Sequence, residues 1–299
     1  MNRFPDGARV CFIGDSITHN NLHLAHIVQY YRNNFADAQV EFYNCGISGG
    51  TLKTIFSCFD EDILPHSATH AVIMIGINDS ARWALPFVGE EKYNTIKNAF
   101  ENYKENLSKL CNKLENMGVS ITLCTPTPYA EYIESNEPVL RGGFALMQAY
   151  ADYVREFAKG KGYPLCDYHD YFIRVMQTEN LYNPDYVHPT NHGQYHMAKC
   201  FLNSQGFDLG EEKPLSDDVQ KWHNTVSKVR NIIATEHFIL EDDFTTTQQE
   251  RWDAIKKYHE NEQTGPYVEY FKSLTKQYLE IKSQHQELIN FTIDFMKNQ

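Results

Sequence analysis

The sequence predicts a three-layer α/β/α fold with a mostly parallel, flavodoxin-like, doubly wound sheet, followed by an all-helical C-terminal extension. Three observations carry this expectation. Short runs of nearly continuous apolar residues recur through the first part of the chain, as in parallel strands covered on both faces. Segments of helical period separate those runs, which is the alternation that winds helices onto both sides of a sheet. After about Gly206 the β-like runs stop.

The strands are expected at residues 10–13, 40–44, 71–75 and 119–124, with a weaker one at 163–167. Helical spacing marks residues 22–35, 91–117 and 144–159, and Gly118 and Gly160 stand where helices commonly stop. A further helix, from Thr190 to about Leu202, completes the layer. Residues 1–205 are therefore expected to form one domain and residues 206–299 a helical extension. The acidic stretch 207–215, with Gly210 and Pro214, reads as a linker. Beyond it come helix-like stretches at 216–238, 246–262 and 266–297. The last carries Val268, Phe271, Leu274, Tyr278, Ile281 and Leu288 at helical spacing, a stripe read as core-facing. The extension is expected to pack on the main domain or to join copies of the chain into a homo-oligomer.

A hydrophobic content of 42% in a chain of 299 residues suits a globular protein with a sizeable core. The net charge of −12 argues against nucleic-acid binding, which needs basic surface to neutralise phosphates. It also disfavours docking on anionic membranes. The first residues lack the apolar stretch of roughly 7–15 residues found in a signal peptide, and no run approaches the roughly 18 apolar residues that span a bilayer. A cytoplasmic protein is expected. The seven cysteines are odd in number and form no Cys-x-x-Cys pair, so reduced, mostly buried thiols are expected.

Four segments bear chemistry, each following an expected strand or preceding the last helix. They are Gly14-Asp15-Ser16, the stretch from Asn44 through Gly46, Gly49 and Gly50 to Thr51, Gly76-Ile77-Asn78-Asp79, and Asp185-Tyr186-Val187-His188. Carboxyl ends of strands line the crevice where open α/β sheets bind ligands. Taken singly, each residue has a plainer reading. A serine after a strand is more often a helix cap, Asn78 alone a turn residue, and Asp185 with His188 a structural ion pair.

Together the four segments resemble the blocks of the SGNH (GDSL-type) hydrolase superfamily, in the same order, over about residues 8–203. The resemblance implies ester hydrolysis without a cofactor or metal. It assigns Ser16 as nucleophile, His188 as its base and Asp185 as the orienting carboxylate. It places the oxyanion hole at the N–H groups of Ser16 and Gly49 and the side-chain amide of Asn78. Gly46 is a rival for the glycine's role, but spacing from Asn44 favours Gly49. The one departure is Ile17 where the family has leucine. The chemistry supplies reasons for these roles. A serine hydroxyl needs an adjacent imidazole to take its proton. The imidazole needs a carboxylate to fix its tautomer, and the tetrahedral intermediate needs donors aimed at its oxyanion.

His188, His192 and His196 also recur at a spacing that can place metal ligands on one helix face. Pro189 puts His188 ahead of the helix, and no Asp, Glu or Cys accompanies the others at ligand spacing, so no metal is expected. The Ser48–Thr51 stretch lacks the Lys of a phosphate loop. The substrate is expected to be a small molecule or a carbohydrate ester, with acetyl as the acyl group. The stretches 129–141 and 82–87 would line its pocket, with Trp83 stacking on a sugar and Arg82 meeting a negative group. A lysophospholipase or thioesterase acting on longer chains is one alternative. A catalytically silent binding or scaffold protein is another.

Overall fold

A computed structural model describes residues 1–240, and the chain divides into two units between Asn224 and Thr225. Five strands form one wholly parallel sheet: β1 (Arg9–Gly14), β2 (Glu41–Gly46), β3 (His70–Met74), β4 (Ser120–Cys124) and β5 (Leu165–Cys166). Their order is β2-β1-β3-β4-β5, the flavodoxin-like order in which the winding reverses between β1 and β3. Ligands bind open α/β sheets at such a reversal, outside the carboxyl ends of the strands. The expected strands are all present, within a few residues at each end. They were legible because Val10, Cys11, Phe12 and Ile13 are all buried, as are Ala71, Val72, Ile73 and Met74. A strand covered on both faces has no polar side to alternate with.

The helices are α1 (Ser16–His19), α2 (Leu22–Asn34), α3 (Leu52–Cys58), α4 (Gly89–Asn116), α5 (Gly143–Lys161), α6 (Tyr168–Val175), α7 (Asn191–Ser204) and α8 (Asp217–Leu240). On one face of the sheet α2 packs on α7 and α7 on α6. Phe12, Phe42 and Phe201 meet there, with the Phe12 and Phe201 ring centres 5.4 Å apart. On the other, α3 packs on α4, and α4 meets α5 where Tyr103 and Tyr150 lie 4.6 Å apart. This is the three-layer arrangement expected.

Three helices among the described residues are additional to those read from the sequence: the single turn α1, α3 and α6. The crossover between β2 and β3 is α3, which widens to π winding at Phe59–Ile63 and tightens at Leu64–His66. Thr54, Ile55 and Phe56 are β-branched or aromatic and weak helix formers, so the segment has little helical signal. The same holds for α6, whose Tyr168, Tyr171 and Phe172 crowd eight residues. All seven cysteines are buried and free of disulfides. No helix among the described residues is long and apolar enough to cross a membrane. The expected helices at 246–262 and 266–297, with the stripe from Val268 to Leu288, lie outside the described residues.

Candidate active site

The reversal of the sheet brings the first three segments together. β1 ends at Gly14, and Asp15 caps the short helix that follows, its Oδ1 accepting the Ile17 N–H at 3.0 Å. Asp15, not Ser16, is thus the cap. Ser16 becomes the first helical residue, whose N–H has no acceptor within the helix. Two glycines let this turn lie flat on the sheet. A Cβ on Gly14 would collide with the Thr18 side chain and the Met74 carbonyl, and one on Gly46 with the Thr18–His19 backbone. Gly14 and Gly46 are register partners at the ends of β1 and β2. The Gly46 N–H is taken by Asn44 Oδ1 at 2.8 Å, and Asn44 Nδ2 donates to the Thr18 carbonyl at 2.7 Å.

Past β2, Ile47 to Gly50 forms a turn closed by the Gly50 N–H on the Ile47 carbonyl at 2.9 Å. Within it Gly49 is exposed at φ +74°, and a Cβ there would meet nothing within 4 Å. Its requirement for glycine is conformational, whereas that of Gly46 is steric.

Past β3, Asn78 Nδ2 donates to the Gly50 carbonyl at 3.0 Å, and Asn78 Oδ1 accepts from Arg82 Nη1 at 3.3 Å. The same Arg82 nitrogen donates to the Ile77 carbonyl at 2.7 Å. Asp79 bonds the third segment to the second, its Oδ1 accepting the Leu52 N–H at 3.0 Å. Its Oδ2 is buried without a hydrogen-bond partner among the described residues. Burial pushes the Asp79 carboxyl up to about 7, against the pull of the Leu52 N–H. Burial likewise lifts Asp15 to about 6, against the Ile17 N–H and the nearby His188 and Arg82.

The fourth segment arrives from the loop before α7. Ser16 Oγ lies 2.7 Å from His188 Nε2, and His188 Nδ1 lies 2.6 Å from Asp185 Oδ2. Asp185 Oδ1 is occupied separately, accepting the N–H groups of Val187 at 3.0 Å and His188 at 2.9 Å. Burial works against the Asp185 charge, but these N–H bonds and the imidazole hold its carboxyl below the usual range. Between the two residues Tyr186 takes φ +66°, a conformation that costs a non-glycine residue about 1–2 kcal/mol. Its carbonyl accepts the Ala130 N–H at 2.9 Å, and its hydroxyl donates to the Glu137 carbonyl at 2.6 Å. The 129–141 stretch therefore braces the loop that carries Asp185 and His188.

Among the other expected site residues, Arg82 is half-buried and engaged by Ile77 and Asn78. Trp83 is 61% exposed, with Phe87 5.5 Å from it, edge to face. No Asp or Glu stands at ligand spacing with His192 and His196 along α7, but a carboxylate reaches them from another segment. Glu179, from the loop after α6, brings Oε2 to 2.6 Å from His192 Nε2 and 3.2 Å from His196 Nε2. Spacing along α7 could not reveal a residue from another segment.

The chain has relatives among known proteins. Residues 12–195 match the GDSL-like lipase/acylhydrolase family. The acetylxylan esterase of Geobacillus stearothermophilus is 29% identical over 228 residues, covering 69% of this chain and 97% of the esterase. A crystal structure of a catalytic mutant of an acetylxylan esterase from that organism, with a serine replaced by alanine, aligns with a TM-score of 0.58. It is 25% identical and covers 70% of this chain and 99% of its own. A gut microbial diltiazem-metabolizing enzyme shares the fold at a TM-score of 0.77 and 14% identity, over 100% of this chain and 96% of its own.

Proposed function

The chain belongs to the GDSL-like lipase/acylhydrolase family and is a carboxylic ester hydrolase; on that premise we propose that it removes acetyl groups from a carbohydrate or other small ester through a Ser16–His188–Asp185 triad. The observation that carries this is the continuous path from Ser16 Oγ through His188 to Asp185, with contacts of 2.7 and 2.6 Å.

In this reading Ser16 Oγ attacks the ester carbonyl carbon while His188 Nε2 takes its proton. Asp185 holds the ring with Nδ1 protonated and stabilises the imidazolium that forms. The carbonyl oxygen becomes an oxyanion met by the N–H groups of Ser16 and Gly49 and by Asn78 Nδ2. Collapse of the intermediate breaks the C–O bond, and His188 returns its proton to the departing alcohol. Water then attacks the acetyl-serine by the same route, releasing acetate and restoring Ser16. Arg82 acts through Asn78, fixing which end of its amide faces the site. Exposed Trp83 offers an aromatic face to a sugar ring. The acetylxylan esterase relative favours acetyl as the acyl group.

The experiment is an acyl-chain series of p-nitrophenyl esters alongside acetylated xylooligosaccharides, with Ser16→Ala as control. kcat/KM should fall as the chain lengthens beyond acetyl, and acetate should be released from the sugars. A preference for long chains overturns the acetyl reading. Turnover retained by Ser16→Ala overturns the triad.

A further inference from the structure

We propose that Glu179, His192 and His196 form a binding site for one divalent transition-metal ion of the Zn²⁺ class, a clasp built around the loop that carries Asp185 and His188. The three residues each offer one donor atom, and these atoms lie within 4.8 Å of one another. Two imidazole nitrogens and a carboxylate oxygen are the donor set that borderline-soft ions prefer over Ca²⁺ or Mg²⁺. His192 and His196 stand one turn apart on α7, so a single helix face presents both. Their Nε2 atoms face the same Glu179 oxygen, at 2.6 and 3.2 Å. Bonds of about 2.1 Å to a shared ion would spread these donors somewhat further apart. Glu179 is exposed, so it can make that adjustment.

The surroundings favour ligation over a simple ion pair. Each ring is held at its other nitrogen: His192 Nδ1 lies 2.6 Å from Glu212 Oε2, and His196 Nδ1 lies 3.0 Å from the Tyr171 hydroxyl. Metal-bound imidazoles characteristically donate that second N–H to a carboxylate or other oxygen, which fixes the tautomer and aims the ligating nitrogen. With Nδ1 donating to Glu212 and to the Tyr171 hydroxyl, a bound cation would take the place of the proton shared between each Nε2 and Glu179. His196 is buried and Tyr171 half-buried, so the inner wall of the site is preformed. The first ligand precedes the 180–190 loop and the second follows it. A bound ion would therefore close that loop at its base, 4 residues beyond His188. Glu212 would add the segment after α7 to the same clasp.

The test uses full-length chain stripped of metal with a chelator, then titrated with Zn²⁺ by calorimetry and with Co²⁺ by visible absorption. One equivalent of Zn²⁺ should bind. Co²⁺ should give ligand-field bands without thiolate charge transfer, since the seven cysteines are buried elsewhere. Glu179→Gln and His192→Ala should each abolish saturable binding. Glu212→Ala, which removes no ligand, should weaken affinity by about 10–100-fold. Glu179, His192 and Glu212 are not buried, and an unchanged circular dichroism spectrum would establish that their variants remain folded. No binding, or binding undiminished in folded Glu179→Gln and His192→Ala proteins, overturns the proposal. Binding is read independently of esterase activity, so failure of the triad reading leaves this test intact.

Discussion

Arg82 and Asn78 meet at a single amide oxygen, Nη1 lying 3.3 Å from Oδ1, while the other end of that amide is held by the Gly50 carbonyl. A primary amide can rotate by half a turn at little cost when its partners do not discriminate between its ends. Here a cation faces the oxygen and a carbonyl faces the nitrogen, so the flipped state would lose both bonds. The guanidinium thereby selects the orientation in which Nδ2 points toward the second segment.

Asn78→Ala should lower kcat by about 10²–10³ if Nδ2 is an oxyanion donor. Arg82→Met should lower kcat by a smaller factor, with KM for p-nitrophenyl acetate little changed. Steady-state kinetics on both variants would check this. A rise in KM at unchanged kcat would make Arg82 a substrate contact, as its position in the sequence first suggested.

Ser16→Ala should reduce kcat by about 10⁶, the scale seen when a triad serine is removed. Asp185→Asn keeps an oxygen that accepts the two backbone N–H groups but loses control of the tautomer, and should cost about 10⁴. Both variants should melt close to the parent, because Asp15 rather than Ser16 caps the turn. Turnover and thermal melting, measured together, separate a chemical loss from a folding loss.

Gly46 and Gly49 should respond differently to alanine. At Gly49 the methyl has space, and the cost is the left-handed backbone, about 1–2 kcal/mol. At Gly46 the methyl would meet the backbone of Thr18 and His19, so the strand end or the nucleophile turn must move. Gly46→Ala should therefore lower the melting temperature well beyond Gly49→Ala. Similar melting temperatures would contradict the steric assignment.

Asp79 should make stability fall with rising pH. Its folded carboxyl titrates at about 7, whereas an unfolded aspartate titrates at about 3.9. Between these values the folded protein holds a proton that the unfolded chain has released, so raising the pH favours unfolding. Asp79→Asn keeps an acceptor for the Leu52 N–H and removes the titration. Its melting temperature should decline less from pH 5 to pH 8 than that of the parent. Parallel curves would show that Asp79 ionises normally in the fold.

The sheet was legible because its strands are apolar on both sides, and the candidate site because three of its blocks sit at strand ends and the fourth leads into α7. What escaped the sequence depends on contacts between distant segments or on weak local signals. The helix at Leu52 has β-branched and aromatic residues where propensity is poor, and it is set by its Thr51 cap and its packing on α4. The link from Arg82 to Asn78 depends on Ala81 at φ +50°, which no composition rule anticipates for alanine. Glu179 reaches α7 from the loop after α6, a proximity invisible to periodicity. Asp15 and Ser16 were read in the right turn, and their division into cap and first helical residue follows from backbone geometry.

The Ser16–His188 bond joins residues 172 positions apart. As the chain leaves the ribosome Ser16, the proposed nucleophile, emerges early, and His188, its proposed base, follows only after four further strands. Gln194 on α7 then docks beneath the nucleophile turn, bonding the Ile17 carbonyl and the His23 ring. A nascent or truncated chain ending before Asp185 would carry Ser16 without the imidazole proposed to activate it. On the proposed mechanism, ester turnover would therefore report completed assembly of the domain, and the Ser16 hydroxyl would stay dormant until then.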